Sequence, residues 1–183
     1  LVNTTTSDQQ KYAEIAVRSS GEFVVVWESL NQDTGSSYGI YGQRFDASGV
    51  AQGGEFLINT TTAGDQRRPD VAIDDDGNFI VVWHSVTQDP GSNAGIYGQR
   101  FNASGVAQGT EFRVNTMLAN DQTAPTVEQR ADGTFLVAWE SASQDAAGTQ
   151  GVYVQLYDAG GVALGGETLV NTTTAGDQIR PAL

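Results

Sequence analysis

Cysteine is absent from the chain, which removes disulfides, zinc ribbons and thiol nucleophiles together. Histidine occurs once, as His84 among 183 residues, so a Ser-His-Asp triad could be built at one place at most. Positive charge is scarce. Lysine and arginine total 9, with Lys11 the one lysine, against 22 acidic residues and a net charge of −13. A nucleic-acid duplex or an anionic bilayer repels such a chain, because phosphate neutralisation needs Lys/Arg clusters. No apolar run approaches the roughly 20 residues of a membrane span, and no signal-peptide pattern opens the chain. Neither nucleic-acid binding nor membrane insertion is expected. What is plentiful is glycine, at 22 residues beside an apolar share of 39%. Turns should be frequent, and the length suffices for one domain with a real core.

The chain repeats itself. Asn3, Asn59, Asn115 and Asn171 each open an Asn-Thr step at intervals of 56 residues. Trp27, Trp83 and Trp139 keep the same interval, as do Phe23, Phe79 and Phe135, and Tyr41, Tyr97 and Tyr153. A repeat of this length decides the fold class. The chain reads as one array over 1–183, with units 3–58, 59–114 and 115–170 and a partial fourth at 171–183.

Each unit predicts four strands separated by turn signals. In the second, these are Pro69 to Ile73, Phe79 to Ser85, Ile96 to Phe101 and Glu111 to Val114. Asp76-Gly77 turns between the first two, and a polar loop precedes the third. No segment shows apolar residues at helical spacing, so helix should be nearly absent. In the second strand, Phe79, Val81 and Trp83 point to one face and Ile80 and Val82 to the other. A strand apolar on both faces must be covered on both sides. Sheets stacked between like sheets meet that condition, so the expected fold is all-β: tandem four-stranded antiparallel blades, β-propeller-like. Three blades fall below the usual 4–8 of a closed ring, and both ends read as cuts through a continuous pattern. The blades would therefore form part of a ring or an open stack, and open stacking of identical contacts gives filaments.

The string Asp76-Gly77-Asn78-Phe79 through Ser85, then Gly95-Ile96-Tyr97-Gly98-Gln99-Arg100-Phe101, then Glu111-Phe112-Arg113-Val114-Asn115-Thr116 resembles tandem-repeat regions of very large secreted or surface bacterial proteins. Those proteins often carry haemolysin-type calcium-binding repeats elsewhere. The resemblance implies an extracellular or cell-surface location and no particular activity. The Gly-rich calcium nonapeptide is missing here, so its ligand set does not transfer. The third unit departs from the pattern, with Val154-Gln155-Leu156-Tyr157 in place of Gly-Gln-Arg-Phe.

Candidate sites follow the repeat. Gln32-Asp33, Gln88-Asp89 and Gln144-Asp145 recur in the loop before the third strand, while their neighbours vary. A carboxylate, an amide and backbone carbonyls would suit calcium; an aspartate capping its own loop explains the same recurrence. Asp65, Asp121 and Asp177 precede the first strands, and could share an ion with Asp33, Asp89 and Asp145 if the two segments adjoin. Asp74-Asp75-Asp76 is not repeated in the other units and reads as a hairpin turn. The three tryptophans read as core packing, with a sugar-stacking platform as the alternative. The tyrosines with Gln43, Gln99 and Gln155 could contact a glycan or lie buried between blades. His84 stands where the other units have Glu28 and Glu140, and reads as an exposed substitution. Asn3, Asn59, Asn102, Asn115 and Asn171 open Asn-x-Ser/Thr sequons and would be surface acceptors in a glycosylating host.

The reading that gathers these observations is a non-enzymatic extracellular structural or adhesive repeat. It would join copies of itself into a homo-oligomer or filament, with calcium hardening its loops. The alternative is a lectin-like propeller with one weak glycan site per blade.

Overall fold

The computed structural model describes residues 1–33, 37–91 and 93–183. The variable loop residues 34–36 and 92, neighbours of the Gln-Asp steps, lie outside the described residues. Among the described residues, twelve strands form three four-stranded antiparallel sheets, each a simple meander. The first sheet holds β1 (Gln10–Val17), β2 (Phe23–Leu30), β3 (Tyr38–Phe45) and β4 (Phe56–Leu57). The second holds β5 (Gln66–Ile73), β6 (Phe79–Val86), β7 (Ala94–Phe101) and β8 (Ala107–Arg113). The third holds β9 (Gln122–Gln129), β10 (Phe135–Ala142), β11 (Gln150–Tyr157) and β12 (Thr168–Leu169). Among the described residues there is no helix, and hence none able to cross a membrane.

The strands of unit 2 run longer than the sequence pattern marks, and the fourth strands of units 1 and 3 shorter. β5 starts at Gln66 instead of Pro69 because a bulge between Arg67 and Asp70 absorbs the irregularity and lets pairing with β6 continue. β8 starts at Ala107, where Ala107 and Gln108 pair with Phe101 and Arg100. Units 1 and 3 keep a single bridge there, Phe45 to Ala51 and Tyr157 to Ala163. They carry Gly54 and Gly166 where unit 2 has Thr110, and glycine weakens a strand interior that a β-branched residue supports.

Both faces of β6 are covered. Phe79, Val81 and Trp83 share one buried cluster with Val24, Val26 and Ile40 of the first sheet. Ile80 and Val82 share another with Phe135, Val137 and Trp139 of the third. The two clusters are the same set of contacts moved along the chain by one repeat: the rear face of each sheet meets the front face of the next. Each sheet repeats a cross-strand ring stack as well, with centroids 4.8 Å apart for Phe23 and Phe45, 4.9 Å for Phe79 and Phe101, and 4.8 Å for Phe135 and Tyr157. The tryptophans are therefore core residues, all at most 3% exposed.

The outer members of the stack lack this cover. Val71 and Val127 are 5% and 4% exposed, while Ile15, at the same place in unit 1, is 57% exposed. Packing therefore assigns different energies to one repeat position. Val71→Ala is expected to destabilise by about 2 kcal/mol, from lost methyl burial and the cavity left behind. Ile15→Ala should stay within about 0.5 kcal/mol of wild type. Urea unfolding of both variants checks the contrast.

Candidate functional site at the unit junctions

The recurring polar residues converge where one unit hands over to the next. At the junction of units 2 and 3, Asn115 Oδ1 accepts from the Ile96 N–H of β7 at 2.7 Å. Its amide donates to Met117 O at 2.6 Å, Gln122 Oε1 at 3.1 Å and Asp89 Oδ2 at 3.4 Å. Asn59 and Asn171 repeat the first of these, accepting from Ile40 N and Val152 N at 2.7 and 2.8 Å. The asparagine thus supplies the acceptor that the edge of the third strand lacks once the short fourth strand has passed.

Both aspartate sets lie at the start of the third strand. Asp65, Asp121 and Asp177 accept from Tyr38 N, Ala94 N and Gln150 N at 3.2, 2.9 and 3.1 Å. Asp89 is 3% exposed. It accepts the Tyr97 hydroxyl at 2.6 Å, lies 3.6 Å from the Arg113 guanidinium and covers Gly95 so closely that a Cβ there would collide with its carboxylate. A Cβ at Gly151 would come within 2.7 Å of Asp145 Oδ2, and one at Gly39 within 2.6 Å of Asp33 Oδ2. The glycine of the third strand is the seat of the loop aspartate. Asp145 receives the Asn171 amide at 3.2 Å and, in its own loop, the Ala146 N–H at 2.9 Å. Among the described residues no three His, Cys, Asp or Glu side chains gather as a metal site.

The glutamine of each Gln-Asp step has a glutamate partner 23 residues further along the chain. Gln32, Gln88 and Gln144 donate to Glu55, Glu111 and Glu167 at 2.7, 2.7 and 2.9 Å. Each glutamate also grips the connector that enters its unit. Thr60 donates to Glu111 through its N–H at 2.7 Å and its hydroxyl at 3.0 Å, while Thr4 and Thr5 bind Glu55 and Thr116 binds Glu167. The 56-residue recurrence of these glutamates was the available signal. Arginines add a second link: Arg44 and Arg100 each donate at 2.6 Å to the turn of the following unit, at Ala103 O and Ala159 O. Leu156 takes this place in unit 3 and cannot make the bond.

The sequon reading needs correction, while the glutamine and Asp74 readings find their outcome beside it. Asn59 and Asn115 are 2% and 1% exposed, and their amides are bound inside the joint, so they are structural groups and not surface glycan acceptors. Asn3 and Asn171 hold the same position half-buried, with amides engaged by Thr5 O and Thr173 O. Asn102 is half-buried and closes its own turn by accepting from Ser104 N and Val106 N. Gln43, Gln99 and Gln155 are buried and donate to the adjacent Arg44, Arg100 and Leu156 carbonyls, which removes them from glycan contact. Asp74 does cap its hairpin, accepting from Asp76 N and Asn78 N.

His84 is the sharpest departure, at 8% exposed. Its position on the central strand lies under the next unit's connector, where Glu28 accepts from Arg68 N at 3.1 Å and Glu140 from Arg180 N at 2.7 Å. Arg68 N belongs to a bulge that recurs in the three first strands, with positive φ at Tyr12, Arg68 and Ala124, and Arg180, outside any strand, repeats the positive φ. Burial raises the Glu28 carboxyl above its usual range, against the pull of the Arg68 N–H. At His84, burial and then the charges of Arg68 and Arg67 lower the imidazole to about 4.

The bulges border an open cleft of about 380 Å³ between the first strands. In it Arg68 lies 5.2 Å above the Tyr12 ring. Asp70 ties units 2 and 3 by accepting from Thr126 Oγ1 and Val127 N, both at 2.8 Å. Burial and the Asp70 charge raise Glu14.

Because His84 is neutral when folded and protonated below about 6.5 when unfolded, it contributes stability that is present above pH 6.5 and lost as the pH falls towards 4. His84→Gln lacks this ionisation. The wild type should lose stability relative to His84→Gln between pH 6.5 and 4, measured as the difference in urea midpoints. Parallel profiles would contradict the burial.

No family model matches the chain, and no curated protein matches it. Among solved structures, the crystal structure of a protein of unknown function from Dyadobacter fermentans DSM 18053 is similar, with a TM-score of 0.61 at 11% identity. The alignment covers 92% of this chain and 56% of that one. At that identity the likeness is one of fold.

Proposed function

We propose that this chain is a non-enzymatic structural or adhesive repeat of an extracellular or cell-surface protein, whose units stack as propeller-like blades and join copies of the chain through their faces. One observation carries the reading. The same apolar contact between successive sheets is made twice inside the chain, and on the outer sheets some members of its two halves are exposed. Ile15 and Val17 are 57% and 59% exposed on the front of unit 1, and Val170 is 53% exposed at the rear of unit 3. The equivalents of Val170, Ile58 and Val114, are 2% and 3% exposed. Contacts of this head-to-tail kind propagate unless geometry closes them.

The acidic surface sets the conditions. At a net charge of −13, copies repel at low ionic strength, where charge acts over about 30 Å, and much less near 1 M salt, where the range is about 3 Å. Sedimentation velocity should therefore show larger species as protein and sodium chloride are raised together, with rods or rings in negative-stain micrographs. A single monomeric boundary at every concentration and salt would defeat the proposal.

A further inference from the structure

We infer that the cleft between units 2 and 3, at the end of the sheets that carries the hairpin turns, binds a neutral or amino sugar. It supplies the ligand class that the adhesive side of the reading above leaves open, and it does not require self-association. A cleft of this kind lies at both junctions and is lined by equivalent residues: Phe23 and Phe79, Arg44 and Arg100, Gly77 and Gly133. The two differ in what crosses them. At the first junction Arg18 donates to Asp75 O at 2.6 Å, and Ser19 to Asp75 Oδ1 at 3.0 Å. A Cβ at Gly77 would stand 3.0 Å from Arg18 Nη1, so the guanidinium occupies the gap. Unit 2 has Asp74 where unit 1 has Arg18, and unit 3 has Ala131 where unit 2 has Asp75. A carboxylate has no N–H to offer Ala131 O, and Ala131 has no side-chain acceptor, so neither tether forms again. The first cleft measures about 280 Å³ and the second about 400 Å³, the latter within the range of small-ligand sites.

The wider cleft is rich in acceptors. Asp74 is 5% exposed and is held by Asp76 N, Asn78 N and the Asn78 amide. Its Oδ2 faces unit 3, 3.8 Å from where a Cβ on Gly133 would stand. Gln129, in the place of Ile73, lines the unit 3 side, and its Oε1 is buried with no partner among the described residues. Asp76 and Asp132, both exposed, add carboxylates. Arg100, the one cation among the described lining residues, already donates to Ala159 O at 2.6 Å. A buried acceptor without a donor costs stability, and a donor-rich ligand relieves that cost. Sugar hydroxyls donate to amide and carboxylate oxygens and accept from a guanidinium within one ring. Three carboxylates against one guanidinium repel a uronate and favour an uncharged or ammonium-bearing ring.

The repeat itself supplies substitutions that the fold already carries. Gln129→Ile copies Ile73 of unit 2, and Asp74→Arg copies Arg18 of unit 1. The whole chain is titrated with the methyl glycosides of glucose, galactose and mannose and with glucosamine, and binding is read from amide chemical shifts. At least one of these sugars should move the Gly133 amide and leave its equivalent Gly77 in place, while glucuronate moves neither. Gln129→Ile should weaken the binding about fivefold, as the loss of one buried hydrogen bond implies. Asp74→Arg should abolish it by closing the gap. The inference is overturned if none of the four sugars moves Gly133, if Gly77 moves equally, or if either variant binds as wild type does. Calcium moving Gly133 where no sugar does would overturn it in favour of a cation site. Sedimentation of the same samples reads self-association separately. Sugar binding by a chain that never associates keeps this inference while the reading above falls, and association without sugar binding does the reverse.

Discussion

A β-sheet whose central strand is apolar on both faces is unstable with water on either side, and the architecture follows from that constraint. β6 contributes Ile80, Val81, Val82 and Trp83, all of them wholly buried, and needs a sheet in front and a sheet behind. The neighbouring sheets were built from the same sequence and inherit the same need. The inner junctions satisfy it on both faces of β6, while at the outer sheets Ile15, Val17 and Val170 remain exposed. Ile15 and Val17, exposed on unit 1, stand where unit 2 has Val71, buried, and Ile73, packed against the first cluster.

Apolar contact is non-directional and would tolerate sheets sliding or turning on one another. The polar joint supplies the missing register. Glu111 takes hydrogen bonds from its own unit's Gln88 and from the connector's Thr60, while Asn115 and Asp121 fix the following connector to β7. Of these groups Asn115 is buried and Glu111 half-buried, so that a lost partner there leaves a desolvated amide or charge. The joint's cost in side-chain freedom is repeated at each junction, and so is its gain in orientation. That makes nearest-neighbour contacts the unit of stability, as in other repeat arrays.

The strands, their order and the covered second strand were legible because periodicity of two and a 56-residue recurrence are both local signals. The joint was legible as recurrence but not as chemistry. Gln-Asp steps and Asn-Thr steps stood out, yet nothing in one chain says that Asp89 will lie over Gly95 and meet Asn115, since the second contact spans 26 residues and a sheet edge. His84 was misjudged for a related reason. Its alternation with Trp83 marks a face, whereas its burial comes from the next unit's bulge lying above it, where Glu28 and Glu140 accept from Arg68 and Arg180. Carboxylates at a repeat position suggest exposure, and here the repeated partner is a backbone N–H.

The pairing of a rear face with a front face, continued beyond the chain, is the claim on which the functional account turns. The absence of native cysteine allows a direct measurement by oxidative cross-linking of a chain carrying Ile15→Cys and Val170→Cys, one on each open face. The account predicts a ladder of disulfide-linked multimers extending beyond the dimer. Cross-linking no faster than in a control chain carrying Val50→Cys and Val106→Cys, at exposed turn positions, would contradict it.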